Sequence, residues 1–336
     1  MRVVYHPSDR GYRPRHSFFY GRFAPYPEVP ERIGSILAAL KGDRRFTIEE
    51  PQPLAVETLQ QVHDPGYLQV LESVCGRLKE GEEFFPGVIQ KAPLLLRSRY
   101  ERVRAGYYTL DSSTPLLAPS WNAALGAAAV AQSCATALAG GEKLIYGLAR
   151  PPGHHAGRAF WAGYCLINHA ALAAEQLARL GKVAVLDMDY HHGNGTQDIF
   201  YERDDVLYVS LHCRPEEAYP YLAGAAEELG AGKGRGFNRN LPLPSGTTWA
   251  DYAPALEEAL EAVHSFHPQS LVVSLGLDGL EGDPIGSFRL HGDDFRSIGA
   301  RIRDLARPTA VIQEGGYLIP ELGNAVVRFF EGMTGT

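Results

Sequence analysis

The sequence predicts an α/β fold, an open doubly wound and mainly parallel sheet with helices on both faces. Three observations carry this. From Leu144 onward, short β-branched runs alternate with longer amphipathic stretches, the order of a parallel sheet. The runs are apolar throughout, as strands covered on both faces are. Each is followed by a cluster of Gly, His, Asp or Tyr, and open α/β sheets gather their ligand crevice at the carboxyl ends of strands.

The elements follow in order. Val3–Tyr5 predicts a short first strand. Residues 9–31, rich in Arg, Tyr, Phe and Pro without a helical period, predict an irregular segment packed on the body or on a second subunit. Glu31–Leu40 has helical apolar spacing, ended by Lys41-Gly42. Val56–Val62 predicts a short helix, and His63-Asp-Pro-Gly leads into another through Cys75. Residues 80–119, broken by Pro86, Pro93, Pro115 and Pro119, predict a long loop of the kind that is usually functional or disordered. Ser120 is expected to cap an Ala-rich helix, Trp121–Leu138, closed by Gly140-Gly141.

The regular alternation then begins. Strand Leu144–Leu148 precedes helix Asn168–Leu180. Strand Val183–Leu186 precedes a short helix near Asp198. Strand Val206–Leu211 leads through a loop past Pro244 to helix Trp249–Phe266. Strand Leu271–Leu275, helix Asp293–Leu305, strand Thr309–Ile312 and a final helix Leu322–Glu331 complete the pattern. No repeat, low-complexity tract or linker interrupts it, so residues 1–336 are expected to form one domain.

Composition narrows the class. A hydrophobic content of 45% over 336 residues is ordinary for a soluble globular chain. The start, Met1-Arg-Val-Val-Tyr-His, lacks the apolar core of a signal peptide. No uninterrupted apolar run reaches the ~18 residues of a membrane span. Cys75, Cys134, Cys165 and Cys213 are scattered without a CxxC, which predicts a reduced, cytoplasmic protein without disulfides. A net charge of −7 without a basic run argues against a nucleic-acid partner and tolerates a cationic substrate.

The most informative stretch is Val183-Ala-Val-Leu-Asp-Met-Asp-Tyr-His-His-Gly-Asn-Gly-Thr-Gln197. Alternation along its extended end puts Asp187, Asp189 and His191 on one face and Met188, Tyr190 and His192 on the other. Asp189 and His191, joined by Asp278 from Gly276-Leu-Asp278, give two carboxylates and one imidazole. Three protein ligands with an open position are the layout of a catalytic zinc site. Separately, Asp189 and His191 would suit a capped loop, and Asp278 a turn cap. His154 and His155 follow Arg150-Pro-Pro-Gly153, and adjacent imidazoles in a cleft suit general acid and base work. Asp187 is the natural partner for one of them, raising its pKa and fixing its tautomer, and Asn194 can orient the other without charge. An isolated pair would more often be surface histidines. Tyr317, on Glu314-Gly-Gly-Tyr317, can aim a hydroxyl at a developing oxyanion. Tyr164, after Gly163, and Tyr219 can wall a slot for a methylene chain, although either alone suits a core.

Together, Arg150-Pro-Pro-Gly-His-His-Ala156, Asp187-Met-Asp-Tyr-His-His-Gly-Asn-Gly-Thr-Gln197, Gly276-Leu-Asp278 with Asp283-Pro, and Glu314-Gly-Gly-Tyr317 resemble the motif set of the histone deacetylase superfamily. Gly106-Tyr-Tyr108, Gly163-Tyr-Cys165, Gln197-Asp-Ile-Phe-Tyr-Glu-Arg203 and Asp283-Pro-Ile285 bring the chain nearest to the bacterial acetylpolyamine amidohydrolases. The resemblance implies an arginase/deacetylase fold and hydrolysis of an N-acyl amide with one zinc ion held by Asp189, His191 and Asp278. It implies His155 as general base and then acid, oriented by Asn194. It pairs His154 with Asp187, gives Tyr317 the oxyanion, and sets Gly163, Tyr164 and Tyr219 along the substrate chain. It implies a potassium ion at Asp187, Asp189, His191, Ser210 and Leu211, partly through backbone carbonyls. It also implies a homodimer in which residues 80–105 narrow the mouth, and a small acetylated amine as substrate. Two positions depart from the pattern. The Gly106–Thr114 stretch offers Asp111 but serines at 112 and 113, where acidic residues are expected around the mouth. Gly279 after Asp278 is smaller than usual and is expected to widen the pocket floor or alter its rim.

The main alternative is a protein acetyl-lysine deacetylase or short-chain acyl hydrolase with the same centre. A non-catalytic acyl-amine sensor is a third class, opposed by the presence of His154, His155 and Tyr317. Binuclear manganese chemistry of the arginase type would need a second Asp/His ligand set, which the matching positions do not offer.

Overall fold

The computed structural model describes residues 1–336. Its strands are β1 (Arg2–Tyr5), β2 (His16–Phe19), β3 (Arg22–Pro25), β4 (Thr47–Glu49), β5 (Leu144–Leu148), β6 (Val183–Asp187), β7 (Val206–Cys213), β8 (Asn238–Leu243), β9 (Ser270–Leu275) and β10 (Thr309–Gln313). Its helices are α1 (Glu31–Lys41), α2 (Pro65–Cys75), α3 (Pro93–Leu96), α4 (Glu101–Arg104), α5 (Ser120–Ala139), α6 (His169–Ala178), α7 (Asn194–Phe200), α8 (Trp249–Phe266), α9 (Gly292–Asp304) and α10 (Ile319–Thr334).

Eight strands form one parallel sheet in the order β4-β1-β5-β10-β9-β6-β7-β8. The chain leaves β5 for β6, runs to the edge through β7 and β8, and returns to place β9 and β10 in the gap. The period of two along each strand then fills two cores. Val3, Tyr146, Leu186, Val209, Val273 and Val311 face the layer of α1, α8, α9 and α10. Val4, Ile145, Val185, Tyr208, Val272 and Ile312 face α2, α5 and α6. Each core holds 40 buried residues, so neither face of the sheet is left to solvent.

Local chemistry sets the helix starts. Asp64 accepts from the Tyr67 amide at 3.0 Å, and Pro65 takes the first position of α2. Asn168 accepts from the Ala171 amide at 2.9 Å to open α6. α5 is long and apolar enough by composition to cross a membrane, yet it lies against α6 and β5 with most of its residues buried. A helix apolar on nearly every side needs such cover.

Four features differ from the sequence-based expectation. The edge strands β4 and β8 carry no strand signal. β4 is only three residues long, and β8, Asn238-Arg-Asn-Leu-Pro-Leu243, is half polar and carries a proline, which an edge strand tolerates. Residues 9–31 are not irregular throughout, because β2 and β3 pair as an antiparallel hairpin. Residues 80–119 are not loop throughout, because they contain α3 and α4. Ser120 does not cap α5: Pro119 holds that position, and the Ser120 hydroxyl accepts from the Leu117 amide at 2.8 Å. Other boundaries move by only a few residues.

A buried ionic network ties the N-terminal segment to the sheet. Glu28 Oε1 accepts from Arg32 of α1 at 2.6 Å and from Arg150, just after β5, at 2.8 Å. Arg150 also donates to the Asp9 carbonyl at 2.7 Å, and Arg32 to the Glu314 carbonyl at 2.7 Å. All of these side chains are buried. Removing one member of such a network strands the opposite charge in a low dielectric. Glu28→Ala is therefore expected to cost about 3–5 kcal/mol, measured as a fall in the urea midpoint at neutral pH; a loss under about 1 kcal/mol would mean the network holds little.

Candidate active site

Five polar clusters follow β5, β6, β7, β9 and β10, which are adjacent in the sheet. Their residues therefore converge on one edge. Asp189, His191 and Asp278 offer ligand atoms that all lie within 4.8 Å of one another. His191 Nδ1 lies 2.9 Å from Asp278 Oδ2 and 3.3 Å from Asp189 Oδ1. Alternation past the end of β6 holds: Met188 and Tyr190 enter the core on the α8 side, while Asp189 and His191 face the site.

Backbone amides fix both carboxylates. Asp189 accepts from the His191 amide at 2.9 Å and the Gly315 amide at 2.8 Å. Asp278 accepts from the Tyr190 amide at 2.9 Å. A Cβ at residue 315 would stand 2.5 Å from Asp189 Oδ2 and 2.7 Å from Asp278 Oδ2, so only glycine lets the chain pass over them. Burial, and then the charge of Asp189, push the Asp278 carboxyl up. Although burial opposes a charged imidazole, hydrogen bonds to Asp189 and Asp278 raise His191 to about 9. A pocket that favours positive charge this strongly fits a divalent cation, and two carboxylates with one imidazole suit zinc.

The adjacent histidines have opposite electrostatics. His154 Nδ1 lies 3.1 Å from Asp187 Oδ2, which also accepts from the Tyr208 hydroxyl at 3.0 Å. Burial works against the His154 charge, but Asp189 and Asp187 overcome it and raise the ring to about 10. His155 Nδ1 lies 2.8 Å from Asn194 Oδ1, a neutral partner. Burial, followed by repulsion from His154 and His191, holds His155 well below the usual imidazole value. Its Nδ1–H donates to Asn194, which leaves Nε2 as the free base.

Two buried carboxylates that sequence reasoning gave no role position this machinery. Glu314 Oε2 accepts from the Gly153 amide at 2.6 Å and the His154 amide at 3.1 Å, fixing the histidine turn. It also groups with His154 and Cys165 within ligand distance, but its oxygens are already engaged and the Cys165 thiol donates to the Gly163 carbonyl at 3.3 Å. Asp283 accepts from the amides of Tyr317 at 2.6 Å, Leu318 at 3.0 Å and Ile285 at 3.0 Å. The Arg32 guanidinium sits 4.6 Å over the Tyr317 ring, completing its seat. Glu314 and Asp283 stand inside the Glu-Gly-Gly-Tyr and Asp-Pro-Ile motifs, which could have flagged them; Glu28 and Arg32 carry only the i, i+4 spacing of an ordinary ion pair.

His154, His155, Gly163, Tyr164, Asp189, His191, Tyr219 and Tyr317 open into one cavity of about 510 Å³. Asp187 and Asn194 stand behind it as partners of the histidines. Ser210 pairs with Asp187 across β6 and β7 and lies deeper with Leu211, both fully buried. Tyr164 has φ +70°, and its amide donates to Thr114 Oγ1 at 2.8 Å. A Cβ on Gly163, φ +51°, would lie 2.3 Å from His155 Cδ2. Asp111 is taken up internally: it accepts from the Gly163 amide at 2.8 Å, from the Ser113 amide and hydroxyl, and from the Tyr219 hydroxyl.

One expectation about the mouth changes. Gly279 faces Leu290 and Phe288, not the cavity, so its small size does not widen the floor. Within one chain, residues 80–105 do not line the cavity. The β2–β3 hairpin forms that wall through Ser17, Phe19, Tyr20, Ala24 and Pro25. The early loop braces it from outside, with Phe85 5.3 Å from Phe23 and Glu83 2.7 Å from His16 Nδ1.

Residues 26–333 match the histone deacetylase domain. The chain is 39% identical over 343 residues to the acetylpolyamine amidohydrolase of Mycoplana ramosa, covering 100% of both. It is 36% identical over 345 residues to acetylpolyamine amidohydrolase 2 of Pseudomonas aeruginosa, covering 100% of this chain and 99% of that one. The crystal structure of acetylpolyamine aminohydrolase from Burkholderia pseudomallei superposes with a TM-score of 0.95 at 38% identity, over 99% of this chain and 98% of that one. The HDA15 HD domain gives 0.83 at 28% identity, over 100% and 91%. With residues 26–333 of the chain matched by the domain and relatives aligned end to end, this chain belongs to the histone deacetylase family.

Proposed function

We propose that the chain is a zinc-dependent deacetylase that hydrolyses the N-acetyl amide of small acetylated polyamines or related acylated amines. The observation that carries this is the meeting, in one cavity, of Asp189, His191 and Tyr317 with two imidazoles of opposite charge preference. End-to-end relatives named for acetylpolyamine hydrolysis support the substrate class.

Asp189, His191 and Asp278 would hold the zinc. When bound, zinc polarises the amide carbonyl and lowers the pKa of water to about 7. Neutral His155 takes the proton from the attacking water through Nε2 and returns it to the leaving amine. Asn194 keeps that tautomer, and its hydrogen bond raises the ring's basicity too little to offset burial and the charges of His154 and His191. His154, charged against Asp187, supplies fixed positive potential beside the developing oxyanion. Tyr317 donates its hydroxyl to that oxyanion; burial holds its pKa well above the usual phenol value, so it stays a donor across the working range. Tyr164 and Tyr219 flank the methylene chain.

The finer features rest on the same reading. The buried oxygen-rich positions at Asp187, Asp189, His191, Ser210 and Leu211 suit a structural potassium ion. Val88, Ile89, Leu94, Tyr100 and Val103 are exposed on the early loop, which supports a homodimer built through it. Four free, buried cysteines suit the cytoplasm. Residues 1–336 would act as one catalytic domain. Asp111, fully engaged, favours one alternative, an acetyl-lysine peptide deacetylase; a higher kcat/KM on acetyl-lysine peptides than on N-acetylputrescine or N-acetylcadaverine would establish it.

Tyr317→Phe is expected to lower kcat by about 10²–10³-fold while zinc content stays at one per chain; unchanged turnover would remove its role. Asn194→Asp places a carboxylate beside His155 Nδ1 and favours the imidazolium. The acid limb of kcat/KM should therefore move to higher pH, by about one unit or more, and an unmoved limb would exclude His155 as the base. Chelator-stripped protein should regain one equivalent of zinc and, at ~1,000 times Kd, gain about 4 kcal/mol of stability. Asp278→Asn should abolish that gain.

A further inference from the structure

We propose that Tyr208 is a positioning residue for the reaction: its hydroxyl holds the Asp187 carboxylate turned toward His154, and through it fixes the His154 ring. This rests on the deacetylase reading and deepens it.

The placement follows from the sheet. Tyr208 stands on β7 in register with Val185 of β6, two residues before Asp187, so both side chains lie on one face. A phenol is long enough to span that offset, and its hydroxyl donates to Asp187 Oδ2 at 3.0 Å. The same oxygen lies 3.1 Å from His154 Nδ1. All three side chains are buried. Gly193 marks where they meet. A Cβ there would collide with Asp187 Oδ2 and crowd the Tyr208 hydroxyl, and it would stand 3.1 Å from His154 Nδ1. The chain can therefore pass this point only as glycine.

The ring of Tyr208 serves the core below α5 and α6, a space that phenylalanine would also fill. The hydroxyl needs a separate reason. It lies 3.1 Å from the Gly193 carbonyl as well, but a phenol carries one proton and the carboxylate is the stronger acceptor. Asp187 depends on that proton for its orientation, because a carboxylate turns softly about its last torsion. Its Oδ1 accepts only from the Asp189 amide, at 3.2 Å, the long end of the range. The His154 ring in turn makes one hydrogen bond, the one to Asp187; Glu314 holds its backbone amide and not the ring. Tyr208, Asp187 and His154 thus form a chain in which each group orients the next. Tyr208 lines no part of the cavity, so it acts through His154 and not on the substrate.

Tyr208→Phe keeps the ring and removes the hydroxyl. In zinc-loaded protein at saturating potassium, kcat for N-acetylputrescine should fall about tenfold or more, with KM within about twofold of wild type. The low-field proton signal of His154 Nδ1–H, assigned by its absence from His154→Gln, should shift or broaden. In a His154→Ala background the same substitution should change the residual kcat by less than about twofold, because no ring is left to orient. An unchanged kcat would overturn the proposal, as would a loss carried by KM alone or an equal loss in the His154→Ala background. A loss reversed by more potassium would assign the hydroxyl to the cation and overturn it too. The proton signal needs no turnover. A wild-type protein that hydrolyses no acetylated amine would therefore overturn the deacetylase reading, while an unmoved signal in Tyr208→Phe would overturn the positioning role.

Discussion

Two carboxylates, Asp189 and Asp278, are buried within ligand distance of each other and of one imidazole. Like charges so placed repel, and burial adds to the cost. The surrounding chain is arranged to hold them there. Three backbone amides, from Tyr190, His191 and Gly315, donate to them. The amides come from two different loops, so the sheet must first bring β6, β9 and β10 side by side. The strand order does this by letting β9 and β10 fill a gap left earlier in the chain. The site is thus complete only with β9 and β10 in place, so the C-terminal third is a condition for Asp189, His191 and Asp278 to meet. A divalent cation would repay the repulsion, so binding and folding stability are coupled here.

The same logic separates the two histidines. They are adjacent in sequence, equally buried, and 4.0 Å apart between ring centroids. Only their partners differ, a carboxylate for His154 and an amide for His155. Once His154 is charged, its field disfavours a second proton on His155, so each ring reinforces the state of the other. One doublet therefore yields a fixed cation and a free base. Glu314 sets the geometry through the amides of Gly153 and His154 and not by touching either ring, a division between positioning and chemistry that recurs at Asp283 beneath Tyr317.

Much of this arrangement is legible in the amino-acid order. Continuous apolar runs mark β5, β6, β7, β9 and β10 because interior parallel strands must be apolar on both faces. Polar clusters after those runs mark the edge because a residue there serves no core. The period of two places Asp189 and His191 together. What stays hidden has equally physical causes. β4 and β8 lie at the sheet edges, where one side of the ladder is free, so short or polar, proline-bearing sequences suffice. The hairpin turn carries no signal because Tyr20-Gly21 lacks the Asn or Asp that normally announces it. Glu28 and Arg32 stand four residues apart, but what makes them matter is their contact with Arg150 and with the Glu314 carbonyl, 122 and 282 residues away, which no local spacing announces. Asp111 is visible as a mouth carboxylate, but its capture by Gly163, Ser113 and Tyr219 is a property of three dimensions.

The hidden features share a location. They lie mostly at the rim and beneath the scaffold, while the legible ones lie at strand ends. The reason is that chemistry on this fold needs rigid placement, and rigidity comes from periodic elements with readable patterns. Selection of the distal part of a substrate needs only a suitably lined opening, and loops can supply that with no pattern at all. The β2–β3 hairpin illustrates the point: it belongs to no layer of the main sheet, is braced by Phe85 and Glu83 from the early loop, and still forms a wall of the cavity. A change of hairpin sequence can therefore alter the lining of the opening without disturbing the carboxylates, histidines and tyrosine gathered at the strand ends. Reaction type and substrate preference are carried by different parts of this chain, and relatives that share the first need not share the second.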